Sequence, residues 1–308
     1  MFDPRDLATD PRRSVARPRR DHARERERRQ RDGHRREFDP RSDRQDFQGR
    51  TDRALAEVGM YRSVAYRDLA EAHFGGHPYA ARRGVDRLVR GGLVREHQAK
   101  GPQGGAYKVL TLTRRGVERA GRVAREQGLD QEQKAWSGLV KPAELTHDVA
   151  VYRAARKEQA RLLEQGAVLK RIRIDAELRG EVARAAETAR AREGKAAADR
   201  ARFEAAEALG LPVKDGRVEY PDAQLEYEME GRSGRVNVEI ATEHYSGKSI
   251  AAKAAAGFAV HGSNARAASR VAQATGGGRA AARVARSLGQ EQGGGGGGRQ
   301  RDQASIEI

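Results

Sequence analysis

The stretch Val85–Gly116, VDRLVRGGLVREHQAKGPQGGAYKVLTLTRRG, decides how the chain folds. A helical pattern stops at Gly91-Gly92, where glycine can end a helix and reverse the chain. Two runs follow, Leu93-Val94-Arg95-Glu96-His97 and Tyr107-Lys108-Val109-Leu110-Thr111-Leu112, separated by AKGPQGG. Alternation in the second run predicts a strand, and a Gly-containing connection between two such runs predicts a hairpin. Thr113 then caps a further helix, TRRGVERAGRVARE.

Upstream, Thr51-Asp52 is placed to cap a helix with Leu55 and Val58 on its apolar side and Gly59 as its end. A second helix is expected over Tyr66–Phe74, with Leu69 inside and Gly75-Gly76 as its stop. A third starts near Pro78, a favoured first-turn residue, and buries Ala81, Val85, Leu88 and Val89. Tyr79, Arg82, Arg83, Asp86 and Arg90 fall on its opposite side.

Three short helices, a hairpin and a closing helix follow the order of a winged helix-turn-helix. A helix of this kind fits the DNA major groove. Arg82, Arg83, Arg87 and Arg90 would then meet phosphates or guanine edges, and Tyr79 or Asp86 would meet bases. Lys100 and Gln103, at the tip of the wing, would lie along the backbone or the minor groove. The same module also docks proteins, so an adaptor without DNA binding is the alternative.

The chain has 308 residues, enough for two domains. Its hydrophobic fraction of 37% and charged fraction of 34% mean that part of it stays solvated. A formal net charge of +16, mostly from arginine, points to a polyanionic partner, either nucleic acid or an anionic membrane, and the winged-helix pattern makes double-stranded DNA the expected one. The absence of cysteine excludes disulfides and cysteine-based zinc sites. No apolar run of ~18 residues exists, so no membrane span is expected. The N-terminus lacks an apolar signal region, and the expected location is the cytoplasm. There is no P-loop, dinucleotide fingerprint or HExxH motif.

The composition divides the chain into five parts. Residues 1–50 form an Arg-rich arm expected to be disordered, because it has too little apolar surface to offset ordering entropy. Residues 51–127 form the first block and 128–140 a linker holding Trp136. Residues 141–261 form the second block. Residues 262–308 are expected to be a flexible Gly/Arg-rich tail, with GGGGGG at 293–298.

In the second block AELTHDVAVYRAARKEQARLLEQG reads as a helix with Leu145, Val149, Tyr152 and Ala155 inward. VLKRIRID is a strand, a long charged helix spans 176–208, and two strands then pair across GRSG. Period two puts Ala223, Leu225, Tyr227 and Met229 on one face. Such pairing brings Asp222 and Glu239 near each other on a polar side. They would be either a solvated acidic face or a pair able to hold Mg²⁺, as in the Asp…Glu-x-Lys arrangement of the PD-(D/E)xK nuclease fold. The position two after Glu239 is Ala241 rather than Lys, which leaves Lys248, or Lys253 on the following helix, as substitutes. The histidines His147, His244 and His261 are expected to make hydrogen bonds rather than to ligate metal.

The stretches GGLVREH…LTRRG, ELTHDVAVYRA and PDAQLEYEMEGRSGRVNVEIATEHYSGKSIAAKAAAGF together resemble the replication-relaxation family. The resemblance implies an α+β chain: an N-terminal winged helix, then a small α/β restriction-endonuclease-like domain. It also implies an accessory role in plasmid replication or mobilisation, with a relaxase or replication protein as partner. The leading expectation is therefore a DNA-binding protein that uses no cofactor. An Mg²⁺-dependent endonuclease using Asp222, Glu239 and Lys248 is the rival.

Overall fold

The computed structural model describes residues 40–101, 105–138 and 141–276, a mixed α+β chain. Gln103, the 293–298 glycines and a possible helix near Ala280–Leu288 lie outside the described residues. The first helix, α1, runs over Pro40–Tyr61. It starts before Thr51, so residues 40–50 are not part of an unstructured arm. Thr51 and Asp52 sit inside the helix, where Gln48 donates to Asp52 at 2.7 Å and Arg119 pairs with Asp52 at 2.7 Å. Extending an existing helix costs less than nucleating one, so the buried turn over residues 54–58 supports the polar turns before it. Gly59 does not end α1 either. A Cβ there would press on Leu112, Ala120 and Ala135 at 3.0–3.1 Å, and its carbonyl accepts from Trp136 N–H at 2.9 Å.

Strand β1 (Val64–Ala65), helix α2 (Tyr66–Phe74) and helix α3 (Pro78–Arg90) follow. Helix α3 buries Ala81, Gly84, Val85 and Leu88. Val89, expected inside, is 38% exposed, and Gly84 takes its place against the Phe74 ring. At the end of α3, Gly92 adopts a left-handed φ of 66° and Leu93 N–H returns to the Leu88 carbonyl at 2.9 Å. The chain then enters β2 (Val94–Lys100) and β3 (Ala106–Leu112), which pair antiparallel, with β1 on the far side of β3. Thr113 caps α4 (Arg114–Glu126) by accepting from Gly116 N–H at 3.2 Å.

Residues 129–138, in the expected linker, pack on the fold. Gln133 is buried and exchanges two hydrogen bonds with the Ile172 backbone, at 2.8 and 3.0 Å. Trp136 carries the Arg62 guanidinium over its ring at 5.5 Å.

Helix α5 (Leu145–Glu164) buries Leu145, Val149, Tyr152 and Ala155 as expected. The sheet behind it runs β4-β7-β8-β9, formed by β4 (Val168–Ile174), β7 (Ala223–Met229), β8 (Arg232–Ala241) and β9 (Phe258–Gly262). The expected single helix over 176–208 is two, α6 (Asp175–Glu193) and α7 (Lys195–Ala208). They break at Gly194, whose φ of 84° no helix tolerates. They fold back on each other, so that Leu178 and Val182 meet Ala206, Leu209 and Leu211. A short hairpin, β5 (Val213–Lys214) with β6 (Arg217–Val218), leads into β7.

The turn between β7 and β8 is Glu230-Gly231, not GRSG. Both residues have positive φ, 51° and 73°, as a tight two-residue hairpin of the primed kind requires. Met229 therefore pairs with Arg232, and Gly234 lies inside β8 beneath the Tyr227 ring. Helix α8 (Gly247–Ala255) crosses from β8 to the parallel strand β9. The expected tail from 262 begins instead with α9 (Ala265–Ala274), capped by Asn264 and burying Ala267, Ala268 and Val271.

The two blocks share one interior. Ala65, Ala99 and Val109 of the first pack with Leu145 and Val149 of the second. Buried Glu57 accepts from the Tyr152 hydroxyl at 2.9 Å and pairs with His73 at 2.5 Å and Arg156 at 3.0 Å. Arg153 grips Asp68 through two nitrogens, at 2.9–3.1 Å.

Candidate functional site

Helix α3 carries the predicted contact residues on one side. Its apolar stripe points into the fold, so Arg82, Arg83, Asp86, Arg87 and Arg90 are all exposed, and Tyr79 is 80% exposed. Two ties on this face are weak. Arg82 lies 3.8 Å from Asp86, with both side chains more than half exposed, and Arg90 Nε donates to the Asp86 carbonyl at 3.2 Å. Exposed pairs of this kind contribute ~0–1 kcal/mol. Lys100 is exposed at the end of β2, and its carbonyl accepts from Thr146 Oγ1 at 3.1 Å, which ties the tip end of the hairpin to α5.

Not all of the arginine excess faces outward. Arg171 and Arg173 of β4 are buried and bound to Glu132, Glu177, Glu181 and Glu226. The β4 arginines and the α3 arginines look alike in composition but have opposite fates.

The second cluster forms where β7, β8, α5 and α8 meet. Asp222 N–H donates to the Val238 carbonyl at 3.0 Å, which sets the register, and Ile240 N–H donates back to the Asp222 carboxylate at 2.7 Å. His147, on α5, lies 3.1 Å from the same carboxylate. Glu239 is buried beside it and accepts from the Tyr245 hydroxyl at 2.9 Å. Lys253 reaches Glu239 at 3.3 Å and Glu219 at 2.8 Å. It comes from the crossover helix α8, not from the strand, which has Ala241 two residues after Glu239. Lys248 lies on the exposed side of α8 and takes no part, so of the two substitutes it is Lys253 that meets the acid.

Electrostatics follow from this packing. Burial pushes the Glu239 carboxyl above its ordinary range and the Asp222 charge pushes the same way, while Lys253 and Tyr245 pull back. The hydrogen bond to Asp222 lifts the His147 imidazole above its ordinary value despite burial. For Lys253 burial opposes the charge, but Glu219 and Glu239 outweigh it and the ammonium is held more firmly. Glu239 Oε2 is buried with no hydrogen-bond partner. Among the described residues no group of three or more His, Asp or Glu is arranged to hold a metal ion. Beside Asp222 a cleft of about 280 Å³ opens between Arg62, His147 and Asp175.

No family model matches the chain, and no curated protein or solved structure matches it.

The polar side of the sheet, one reading of which is a solvated acidic face, is covered in part: Glu228 stays half-exposed and Glu230 exposed, but the middle is buried. Gln224 is fully buried and donates to the Leu209 carbonyl and to Asn237, each at 2.9 Å. His261 pairs with Glu158 at 3.1 Å and His244 is exposed, so neither meets the cluster. Sequence reasoning missed His147 and Glu219 as members. Tyr245 had a local signal, six residues after Glu239. His147 and Glu219 had none, because only the tertiary fold brings them to the strand. Among the described residues no helix is long and apolar enough to cross a membrane.

Proposed function

We propose that the chain is a DNA-binding accessory protein of the replication-relaxation type, with residues 51–127 acting as a winged helix. The observation that carries this reading is the amphipathic division of α3. Ala81, Gly84, Val85 and Leu88 are committed to the interior, and Arg82, Arg83, Arg87 and Arg90 are left on an exposed ridge. A ridge of guanidinium groups suits phosphates and guanine edges, which accept two parallel hydrogen bonds from one fork. The hairpin with Lys100 flanks it, and the resemblance supplies a relaxase or replication protein as a further partner. The test is a mobility-shift titration of the full chain against a 20–30-bp duplex at ~50 mM salt, followed by footprinting on plasmid replication and transfer origins. A retarded complex is expected. No shift at low salt would transfer the reading to a protein-docking adaptor.

One observation favours a second reading, an Mg²⁺-dependent endonuclease on a PD-(D/E)xK-like scaffold. Lys253 stands beside Glu239, and Glu239 Oε2 is a buried acceptor without a partner. Mg²⁺ needs only one or two protein carboxylates when waters and phosphate oxygens complete its shell, so Asp222 and Glu239 fit it. A bound Mg²⁺ would supply an activated water and stabilise the leaving oxygen. The protein's own part is to hold Asp222 through Ile240 N–H and His147, and to keep a cation beside Glu239 through Lys253. Supercoiled plasmid incubated with Mg²⁺ or Mn²⁺ decides the matter. Nicking that is lost in Asp222→Ala and Lys253→Ala but kept in Lys248→Ala supports it, and intact plasmid in all four proteins removes it.

A further inference from the structure

A cavity framed by α2, the β2–β3 hairpin, α5 and the β9–α9 connection belongs to neither reading above. Its volume is about 390 Å³, within the ~300–1,000 Å³ of small-molecule sites. Ala65, Val149, Ala150 and Ala154 give it an apolar floor, and the half-buried rings of Tyr66 and Tyr107 line it as well. The ionisable groups on its walls are otherwise all basic: Arg67, Lys108, Arg153, Lys157 and His261. Among the described residues that line it, none is acidic.

The acids that balance these bases sit behind them. Glu71 pairs with Arg67 at 3.0 Å, Glu96 with Lys108 at 3.1 Å, Asp68 with Arg153 at 2.9 Å and Glu158 with His261 at 3.1 Å. The Arg67 and Lys108 side chains are 71% and 50% exposed, and exposed pairs are held weakly. Those two cations can turn to an incoming anion at small cost. An apolar floor, two aromatic rings and an exclusively basic wall select a compact molecule with a flat apolar part and an anionic end.

We infer that this cavity binds a mononucleotide unit, its base against Tyr66, Tyr107 and the alanine floor and its phosphate toward Arg67, Lys108 and Lys157. Aromatic rings accept any base by stacking, so the site is tolerant of base identity. Arginine and lysine on one wall offer the phosphate a fork and a point charge. The unit is either a free nucleotide or one residue of a single strand. The inference does not depend on α3 reading duplex DNA, because none of the α3 arginines lines the cavity.

The test is calorimetric titration of the full chain with dTMP, dAMP, thymidine, inorganic phosphate and an eight-residue oligothymidylate. Two variants accompany it: Ala150→Phe, which fills the floor, and Lys108→Glu, which reverses charge on the wall. Both mononucleotides are expected to bind with Kd below about 1 mM, and at least about tenfold more tightly than thymidine or phosphate alone. Each variant that melts like the parent should weaken that binding by about tenfold or more. If the oligonucleotide binds and the variants weaken it equally, the source is a strand; if only mononucleotides bind, the source is free nucleotide. Lys108 is exposed on its strand, so Lys108→Glu keeps the test decisive if Ala150→Phe fails to fold. Mononucleotides that bind no better than phosphate, or that bind a folded Lys108→Glu protein unchanged, overturn the assignment.

Discussion

Replacing Arg82, Arg83, Arg87 and Arg90 together by alanine removes the ridge of α3 and little else. All four are exposed, and alanine is the best helix former, so the helix itself loses nothing in propensity. Each exposed substitution should change stability by no more than ~0.5 kcal/mol, and the variant should still unfold in one cooperative transition. Binding should respond very differently. Take six contacts, the four together with Arg95 and Lys100 of the hairpin, all of them exposed. If each neutralises one phosphate, log K should fall against log salt with a slope of about −5.4, since each phosphate contributes ~0.9. Between 50 and 200 mM salt the parent would then lose about 2,000-fold in affinity, and the quadruple variant, with a slope near −1.8, only about 12-fold. Fluorescence anisotropy with a labelled duplex across that range measures both slopes. Equal slopes for parent and variant would show that α3 does not meet the phosphates. The single changes Arg83→Ala and Arg90→Ala should each move the slope by about 0.9.

Other perturbations probe the scaffold. Glu57→Gln leaves His73 and the Arg156 guanidinium facing a neutral amide, and should cost about 3 kcal/mol in urea unfolding, the lower end for breaking a buried pair because Arg156 is one third exposed. Burial opposes the Glu57 charge, but His73, Arg156 and Tyr152 outweigh it and hold the carboxyl below its ordinary 4.5. Its contribution is therefore complete above about pH 4.5 and lost as pH falls through the lower folded value, and the Gln variant should lack that segment of acid destabilisation. Glu239→Gln should raise the melting temperature at neutral pH, because burial and Asp222 make its charge unfavourable in the fold; a lower melting temperature would mean that Lys253 outweighs them. Gly116→Ala should cost ~1–3 kcal/mol, since a Cβ there collides with the Leu93 carbonyl oxygen. Gly121→Ala, whose Cβ meets only the flexible end of Arg125, should be neutral or mildly stabilising, and equal costs at both positions would refute the close-approach argument.

How much was legible in the sequence depended on whether a residue's fate was local. The third helix, its Gly91-Gly92 exit and the Thr113 cap follow from chemistry within a few residues and appear where the pattern put them; the hairpin forms too, but its first strand runs on to Lys100 instead of stopping at His97. Glycine was misread where its reason was tertiary. Gly59 looked like a stop, yet it stays helical because Leu112, Ala120 and Ala135 need its missing side chain. Gly194 carried no weight in a charged run, yet its positive φ divides the helix. The β7–β8 turn was placed on the more glycine-rich GRSG, although Glu230-Gly231 is the pair that adopts the primed conformation. The acidic pair was legible from alternation alone. Its lysine was not, because Lys253 comes from a crossover helix and no strand period can reveal it.

The same distinction explains why the two blocks looked separable. Their compositions differ, and the residues between them are polar, which usually marks a tether. What joins them is invisible to composition: alanines and valines at 65, 99, 109 and 149, and one glutamate, Glu57, that satisfies a tyrosine and an arginine from the other block. An unpaired carboxylate in that position would be costly, so Glu57 is well placed only when α5 is docked. Gln133 repeats the logic at the edge of β4, where its amide occupies both backbone groups of Ile172. The arginine ridge of α3 and the Asp222–Glu239 cluster are therefore carried on one interior. A ligand at either place acts on a body whose two halves cannot part without exposing a buried charge. The cavity beneath the hairpin is walled by both halves, so its shape depends on their docking and on neither half alone.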